Sequence, residues 1–449
     1  MRKLFPACLF LLFAYTSQAQ TIIQRDAEID AMVKEISADS MKSYITRMVS
    51  FGTRNTLSST TDKKRGIGAA REWVVQKFNE FAKASNGRMT AYVDTITLQP
   101  DKRRVDVATS LGNAMAILKG TDPADDRIYL ISGHLDSRVT DVLNRTADAP
   151  GANDDGSGVA AVMECARIMS KRNFPATIIF LAVSGEEQGL LGANFLAEKA
   201  KQQAWNIDAM LNNDIMGSNN SNETNIIENT KVRVFSEAFS AIDTGRVLQN
   251  IRSMGLENDG RTRQLARYVK EVGERYVDNL EVVMIYRNDR FLRGGDHTPF
   301  VQRGYAAVRI TEMNENFNHQ HQDLRTEKGI VYGDLVEFMD FEYLRKNTGI
   351  NLASLANLAK APSQPQSVVV EVRNLSNSTT LNWKAPKNGK PKGYFVLMRE
   401  TTSPVWQKKF YTTSATITLP YSKDNYFFAV QSVSDAGNES LPVIPAVAR

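Results

Sequence analysis

Histidines and acidic residues gather at a few points along this chain, in spacings that could hold metal ions. His134 and Asp136 lie in GHLDS, Asp154 and Asp155 in GANDDGSG, and Glu186 and Glu187 in SGEEQGLLG. Asp214 lies in NNDIMG, and His319 and His321 lie far downstream in NHQHQDL. Only four histidines occur in 449 residues, so the placement of each carries information. Each cluster alone has an ordinary explanation, because acidic residues cap helices and an Asp-Asp-Gly run makes a turn. Together they supply the imidazole nitrogens and carboxylate oxygens that zinc takes, with a position left for water. Two ions about 3.5–4 Å apart can share a carboxylate, acidify a water and polarise a scissile carbonyl. A further carboxylate must then move a proton from that water to the leaving amine. Glu186 and Glu187 offer both tasks side by side: one can ligate while its neighbour faces the water.

The elements around these residues explain why they should meet. Short apolar runs at 127–132, 177–183, 209–213 and 306–310 read as strands, and 157–170 reads as a helix opened by the Gly- and Asp-rich loop. Strand–helix alternation from Asn113 onward predicts an α/β domain, a mixed, mostly parallel sheet with helices on both faces. In such sheets ligands bind outside the carboxyl ends of the strands, where the clusters fall. Upstream, 26–51 reads as helical, 53–64 as a polar stretch, 66–81 as an amphipathic helix and 89–98 as a strand. The less regular 217–293 reads as an insertion flanking the site, holding an amphipathic helix through Leu265, Tyr268, Val269, Val272 and Tyr276 and a β-like run at 280–286. Residues 334–358 are expected to be helical and to close the domain.

The motifs GHLDS, NDDGSG, GEEQGLLG and NDIMG, in this order, resemble those of the co-catalytic di-zinc peptidase family. That family includes secreted bacterial leucyl aminopeptidases, glutamate carboxypeptidase II and the glutaminyl cyclases. The resemblance spans most of residues 60–358 and implies a zinc-exopeptidase fold of the phosphorylase/hydrolase-like type, a peptide substrate and two zinc ions. It implies His134 and Asp214 on one ion, Glu187 and His319 on the other, and Asp154 bridging them. Glu186 becomes the general base and acid. Asp136 becomes the residue that orients the His134 imidazole from behind. The family's last ligand usually precedes an Asp by four positions, which selects His319 and leaves His321 at the surface or behind a ligand. Asn318 stands where several relatives carry a Tyr that stabilises the oxyanion, so that donor is unassigned. Asp296 and His297, in GGDHTPF, match a family segment near the site and are expected at its rim, in contact with substrate, or as a structural helix cap.

Beyond the APSQPQ linker at 361–366 the texture changes to short strands separated by turns: 367–372, 379–383, 393–399, 415–419 and 426–433. That pattern predicts an all-β sandwich. Trp383 and Tyr426 give the segment 367–449 a resemblance to a fibronectin type III domain. The linker predicts a unit that works apart from the 20–360 domain and takes a surface or polymer ligand. Residues 1–19 read as an export signal, with Arg2 and Lys3 before an apolar run and small residues around Ala19. The mature chain is then secreted or periplasmic. Cys165 alone would remain of two cysteines, so no internal disulfide is expected. A formal charge of +5 with no basic block implies no nucleic-acid partner, and no other apolar run is long enough for a membrane span.

Aminopeptidase activity is the leading expectation. Glutaminyl cyclase activity would go with one zinc and altered second-site residues. A receptor or adhesion protein on this fold would have lost ligands or the catalytic Glu. Carboxypeptidase action would need a cationic pocket, for which Arg290 and Arg293 are conceivable members.

Overall fold

Alternation of apolar side chains decides how the central strands are covered. In the computed structural model, which describes residues 23–373 and 375–448, Tyr129 and Ile131 enter one core and Leu130 the other. Ile178, Phe180 and Ala182 divide likewise from Ile179, Leu181 and Val183. Both sheet faces are therefore apolar, as parallel strands between helix layers require. The export signal expected at 1–19 lies outside the described residues.

The chain opens with α1 (Ala27–Lys34), α2 (Ala38–Val49) and α3 (Gly66–Ala82). The single helical segment expected at 26–51 is thus two helices. Ser37 divides them, its side chain capping α2 by accepting from the Ser40 amide at 3.1 Å. There follow β1 (Met89–Leu98), β2 (Thr109–Leu118), β3 (Arg127–His134), α4 (Gly156–Met169), β4 (Thr177–Val183), α5 (Leu191–Gln202) and β5 (Asn206–Asn213). Then come β6 (Lys231–Phe235), α6 (Gly245–Ser253), α7 (Arg261–Tyr276), β7 (Glu281–Ile285), α8 (Thr298–Gln302) and β8 (Ala307–Glu312). The domain ends with β9 (Arg325–Glu327), β10 (Ile330–Tyr332) and α9 (Phe341–Lys360).

Eight strands form one mixed sheet in the order β1-β2-β4-β3-β5-β8-β6-β7. The central β4, β3, β5 and β8 are parallel neighbours. From β3 the chain crosses to β4 on one side and then to β5 on the other, so the strand order reverses beside β3. That is where a ligand crevice opens. The region 217–293 is not an insertion outside the sheet. Its β6 and β7 extend the sheet edge, β6 pairing antiparallel with β8 and parallel with β7.

The C-terminal strands β11 (Gln366–Val370), β12 (Thr379–Lys384), β13 (Gly393–Glu400), β14 (Lys408–Thr412), β15 (Thr416–Leu419), β16 (Tyr426–Val433) and β17 (Ala446–Val447) form two sheets. Between them lies a core holding Leu381, Trp383, Tyr394, Val396, Phe428 and Val430. The sandwich is docked rather than tethered. Leu441 joins the core of the α/β domain. Buried Arg399 pairs with Asp259 at 2.5 Å, and Arg275 pairs with Glu439 at 2.9 Å. The linker is clamped too: Arg127 Nη2 donates to the Ala361 carbonyl at 2.8 Å.

Candidate metal centre

Four strand ends and two loops converge on the crevice. His134 is the last residue of β3, and its neighbour Gly133 is needed because the start of α4 passes so close. A Cβ on Gly133 would meet the Gly158 carbonyl carbon at 2.4 Å. Asp155 caps α4, accepting from the Gly158 amide and from the His134 amide, both at 2.8 Å. That one carboxylate locks the end of β3 to the DDGSG loop. The Asp154–Asp155 peptide is cis.

Two groups of potential ligands share Asp154: His134, Asp154 and Asp214 in one, Asp154, Glu187 and His321 in the other. His134 Nε2 lies 3.1 Å from Asp154 Oδ1 and 3.7 Å from Asp214 Oδ1. His321 Nε2 lies 2.9 Å from Asp154 Oδ2 and 2.8 Å from Glu187 Oε1. Ligand atoms within each group fall within 4.8 Å of one another. Asp214 Oδ1 is buried and receives no hydrogen bond, and Glu187 Oε1, also buried, faces only His321 Nε2. Buried carboxylate oxygens without a donor are costly, and a shared cation would satisfy them. The nitrogen and oxygen donor set suits zinc.

The expected ligand His319 lies elsewhere. Its ring stacks on Phe338 at 3.8 Å and 5°, and burial lowers its pKa to about 4. The loop explains the exchange. The Asn316 carbonyl accepts from the amides of both His319 and Gln320, and His321 adopts φ +53°. That turn carries His321, two residues further on, into the centre. Asp323, from which the spacing was counted, is exposed.

Asp136 is fully buried, but its carboxylate does not hold the imidazole. His134 Nδ1 lies 3.0 Å from the Asp136 carbonyl oxygen and 3.7 Å from its carboxylate. A carbonyl only accepts, so Nδ1 carries a proton, which leaves Nε2 as the nitrogen that would bind a metal. The Asp136 carboxylate instead accepts from the Glu186 amide at 3.3 Å, the Glu187 amide at 3.1 Å and the Thr56 hydroxyl at 2.9 Å. Adjacent glutamates are thereby set at fixed positions by the residue that also fixes the histidine.

Among the described residues no hydrogen bond or ion pair engages the Glu186 carboxylate. Burial, then the nearby Asp214, Glu187 and Asp296 charges, push its pKa well above the usual carboxylate range, outweighing His134. Asp296 is buried with both oxygens unpartnered, and burial beside Asp136 and Asp214 lifts it to about 8. Neither the rim nor the helix cap expected for it applies. His297 is likewise fully buried, its Nε2 donating to the Asn288 carbonyl at 2.7 Å.

Several supporting residues carry no motif of their own. Asp334 accepts from the amides of Asn153 at 2.9 Å and Asp154 at 2.7 Å, holding the shared ligand from behind. Arg54, 1 % exposed, donates to the carbonyls of Leu135, Pro150 and Gly151 and so ties down both loops. Arg309 Nη1 lies 3.1 Å from Asp214 Oδ2. Arg138 stands against the second group, its Nε 3.0 Å from Glu187 Oε2 and its Nη2 2.7 Å from His321 Nδ1.

A mixed α/β sheet with a histidine–carboxylate centre at its switch point is the arrangement of a metal-dependent hydrolase. The chain belongs to peptidase family M28, whose model matches residues 113–335, and a fibronectin type III domain matches residues 363–446. It is 45% identical over 421 residues to a protein of Leptosphaeria maculans named a probable zinc metalloprotease, covering 94% of this chain and 97% of that one. A like-named protein of Pyrenophora tritici-repentis is 43% identical over 94% of this chain and 87% of its own. The LapA aminopeptidase of Legionella pneumophila shares the fold, with a TM-score of 0.52 at 20% identity over 76% of this chain and 78% of that one.

Proposed function

We propose that this chain is a two-zinc exopeptidase that removes residues from the free N-terminus of peptides. One observation carries the reading: Asp154 turns one oxygen toward each histidine. One ion would sit on His134, Asp214 and Asp154, the other on Asp154, Glu187 and His321. The name given to the fungal relatives and the donor set both support zinc. When bound, the ions supply Lewis acidity, which polarises the scissile carbonyl and acidifies a water. Glu186, held by its amide on Asp136 and otherwise unengaged, takes the proton and returns it to the leaving amine. Asp136 keeps the His134 tautomer and the Glu186–Glu187 pair in register. The donor-free carboxyl groups of Glu186 and Asp296, raised in pKa by burial and by neighbouring negative charge, would ionise against a substrate ammonium group, which supports N-terminal specificity. Residues 1–19 act as an export signal in this reading, so the enzyme works outside the cytosol, secreted or periplasmic. The mature peptidase unit runs over 20–360, joined by 361–366 to the sandwich of 367–449.

The experiment is a screen of purified protein on aminoacyl and carboxy-terminal chromogenic substrates, with chelator and after zinc is restored. Zinc-dependent release from free N-termini is expected. Turnover confined to N-blocked peptides would overturn the aminopeptidase assignment. A single tight zinc per chain would favour the cyclase chemistry.

A further inference from the structure

A cavity of about 620 Å³ opens beside the centre, and its charge is opposite in sign. Arg233, Arg287, Arg290 and Arg293 line it with a single acidic residue, Glu315. Ion pairs link its wall to the metal ligands. Arg290 lies 3.4 Å from Asp289, Asp289 lies 2.9 Å from Arg309, and Arg309 lies 3.1 Å from Asp214. Glu315 also belongs to the loop that delivers His321.

The arginines divide into two kinds. Arg233 and Arg290 are committed, pairing with the two oxygens of Glu315 at 2.7 and 3.0 Å. They are held rigidly and their charge is largely met. Arg287 and Arg293 are exposed, and among the described residues neither side chain has a hydrogen-bond or ion-pair partner. Arg287 only flanks the Phe291 ring, at 5.5 Å from its centroid. Solvated surface arginines are common, but these two line a cavity whose one acidic lining residue, Glu315, is already taken by Arg233 and Arg290. A planar guanidinium presents paired donors that match a carboxylate.

We propose that this cavity is a substrate subsite that binds a carboxylate of the peptide, with Arg287 and Arg293 as its donors. The proposal rests on the peptidase reading and adds the substrate class to it. The carboxylate belongs either to an acidic side chain near the scissile bond or to the free C-terminus of a short peptide. The volume accommodates a whole residue.

The test compares zinc-loaded wild type with the double variant Arg287→Gln/Arg293→Gln. Peptide pairs differ only in Glu against Gln at each position, or in a free C-terminus against its amide. Glutarate binding is measured by calorimetry on the same preparations. In wild type, kcat/KM should favour the carboxylate member at least tenfold in one series, and that series names the source. In the variant the preference should fall toward one, through KM, and glutarate binding should weaken at least tenfold. Equal kcat/KM across all pairs with sound peptide turnover would overturn the subsite and leave the peptidase standing. A preference or glutarate affinity unchanged in the variant would also overturn it. Arginine-dependent glutarate binding without turnover of any peptide would sink the peptidase reading instead.

Discussion

His321 Nε2 approaches Asp154 Oδ2 at 2.9 Å, on the carboxylate oxygen that His134 does not use. If that relationship makes the second ion site, His321→Ala should leave one zinc per chain and little activity. His319→Ala should keep both ions, since His319 only stacks on Phe338. Elemental analysis of the two variants decides this, and the reverse pattern would restore His319 as the ligand.

Glu186 and Glu187 are adjacent but differently engaged. Glu186→Gln keeps shape and both ions but cannot accept a proton, so kcat should fall by roughly 10²–10⁴-fold. Glu187→Ala should lose one zinc and lower the melting temperature as well, because metal binding adds to folding free energy. Full activity of Glu186→Gln with two zincs bound would remove Glu186 from the reaction.

Arg138 competes for atoms that the second ion needs. Its Nη2 can only donate, so His321 Nδ1 accepts and Nε2 carries the ring proton. Binding at Nε2 therefore requires that proton to leave and Arg138 to turn aside. Arg138→Met should tighten the second zinc, read as higher chelator concentrations needed to remove it. Weaker binding in the variant would show that Arg138 orients the ligands instead.

Glu315 gives a pH dependence. Burial raises its pKa, but Arg290 and Arg233 outweigh that and hold it at about 2, against 4.5 for a free glutamate. A folded-state pKa below the unfolded one stabilises above the unfolded value and is lost as pH falls through the folded one. Relative to Glu315→Gln, wild type should be more stable by up to about 3 kcal/mol at neutral pH. That advantage should shrink between pH 4.5 and about 2. Denaturant melts of both proteins across that range test it, and a constant difference would contradict it.

Deleting the sandwich should harm the whole protein. The linker's composition suggested independence, yet Leu441 enters the α/β core and Arg399 reaches buried Asp259. A chain ending near Ala361 strands those groups, and breaking buried pairs costs several kcal/mol, so melting should fall by on the order of 10 °C. A truncate with unchanged melting temperature and turnover would show that the docking contributes nothing.

Much of the site was legible from local sequence. GHLDS, NDDGSG and SGEEQG each follow or precede a strand whose apolar run is unmistakable, and side chains at strand ends point where the sheet directs them. Spacing and strand order therefore brought the clusters holding His134, Asp154, Glu187 and Asp214 to one sheet edge, and the resemblance to the di-zinc peptidases picked the ligand within each cluster. The choice between His319 and His321 was not legible in this way, because both lie in one irregular loop where a residue with φ +53° reverses the chain. Counting from Asp323 cannot report that turn. Asp334, Arg54 and Arg138 were also hidden. Each acts on groups at least 49 positions away in sequence, and buried polar partners at that range leave no periodic trace. The same holds for the sandwich: its strands could be read from alternation, but its docking depends on Leu441, Arg399 and Glu439 meeting surfaces of α7 and its neighbours. Local pattern determined the elements and the chemistry of the residues at their ends. Long-range packing decided which histidine faces the centre, what holds Asp154 in place, and that the two domains stand as one body.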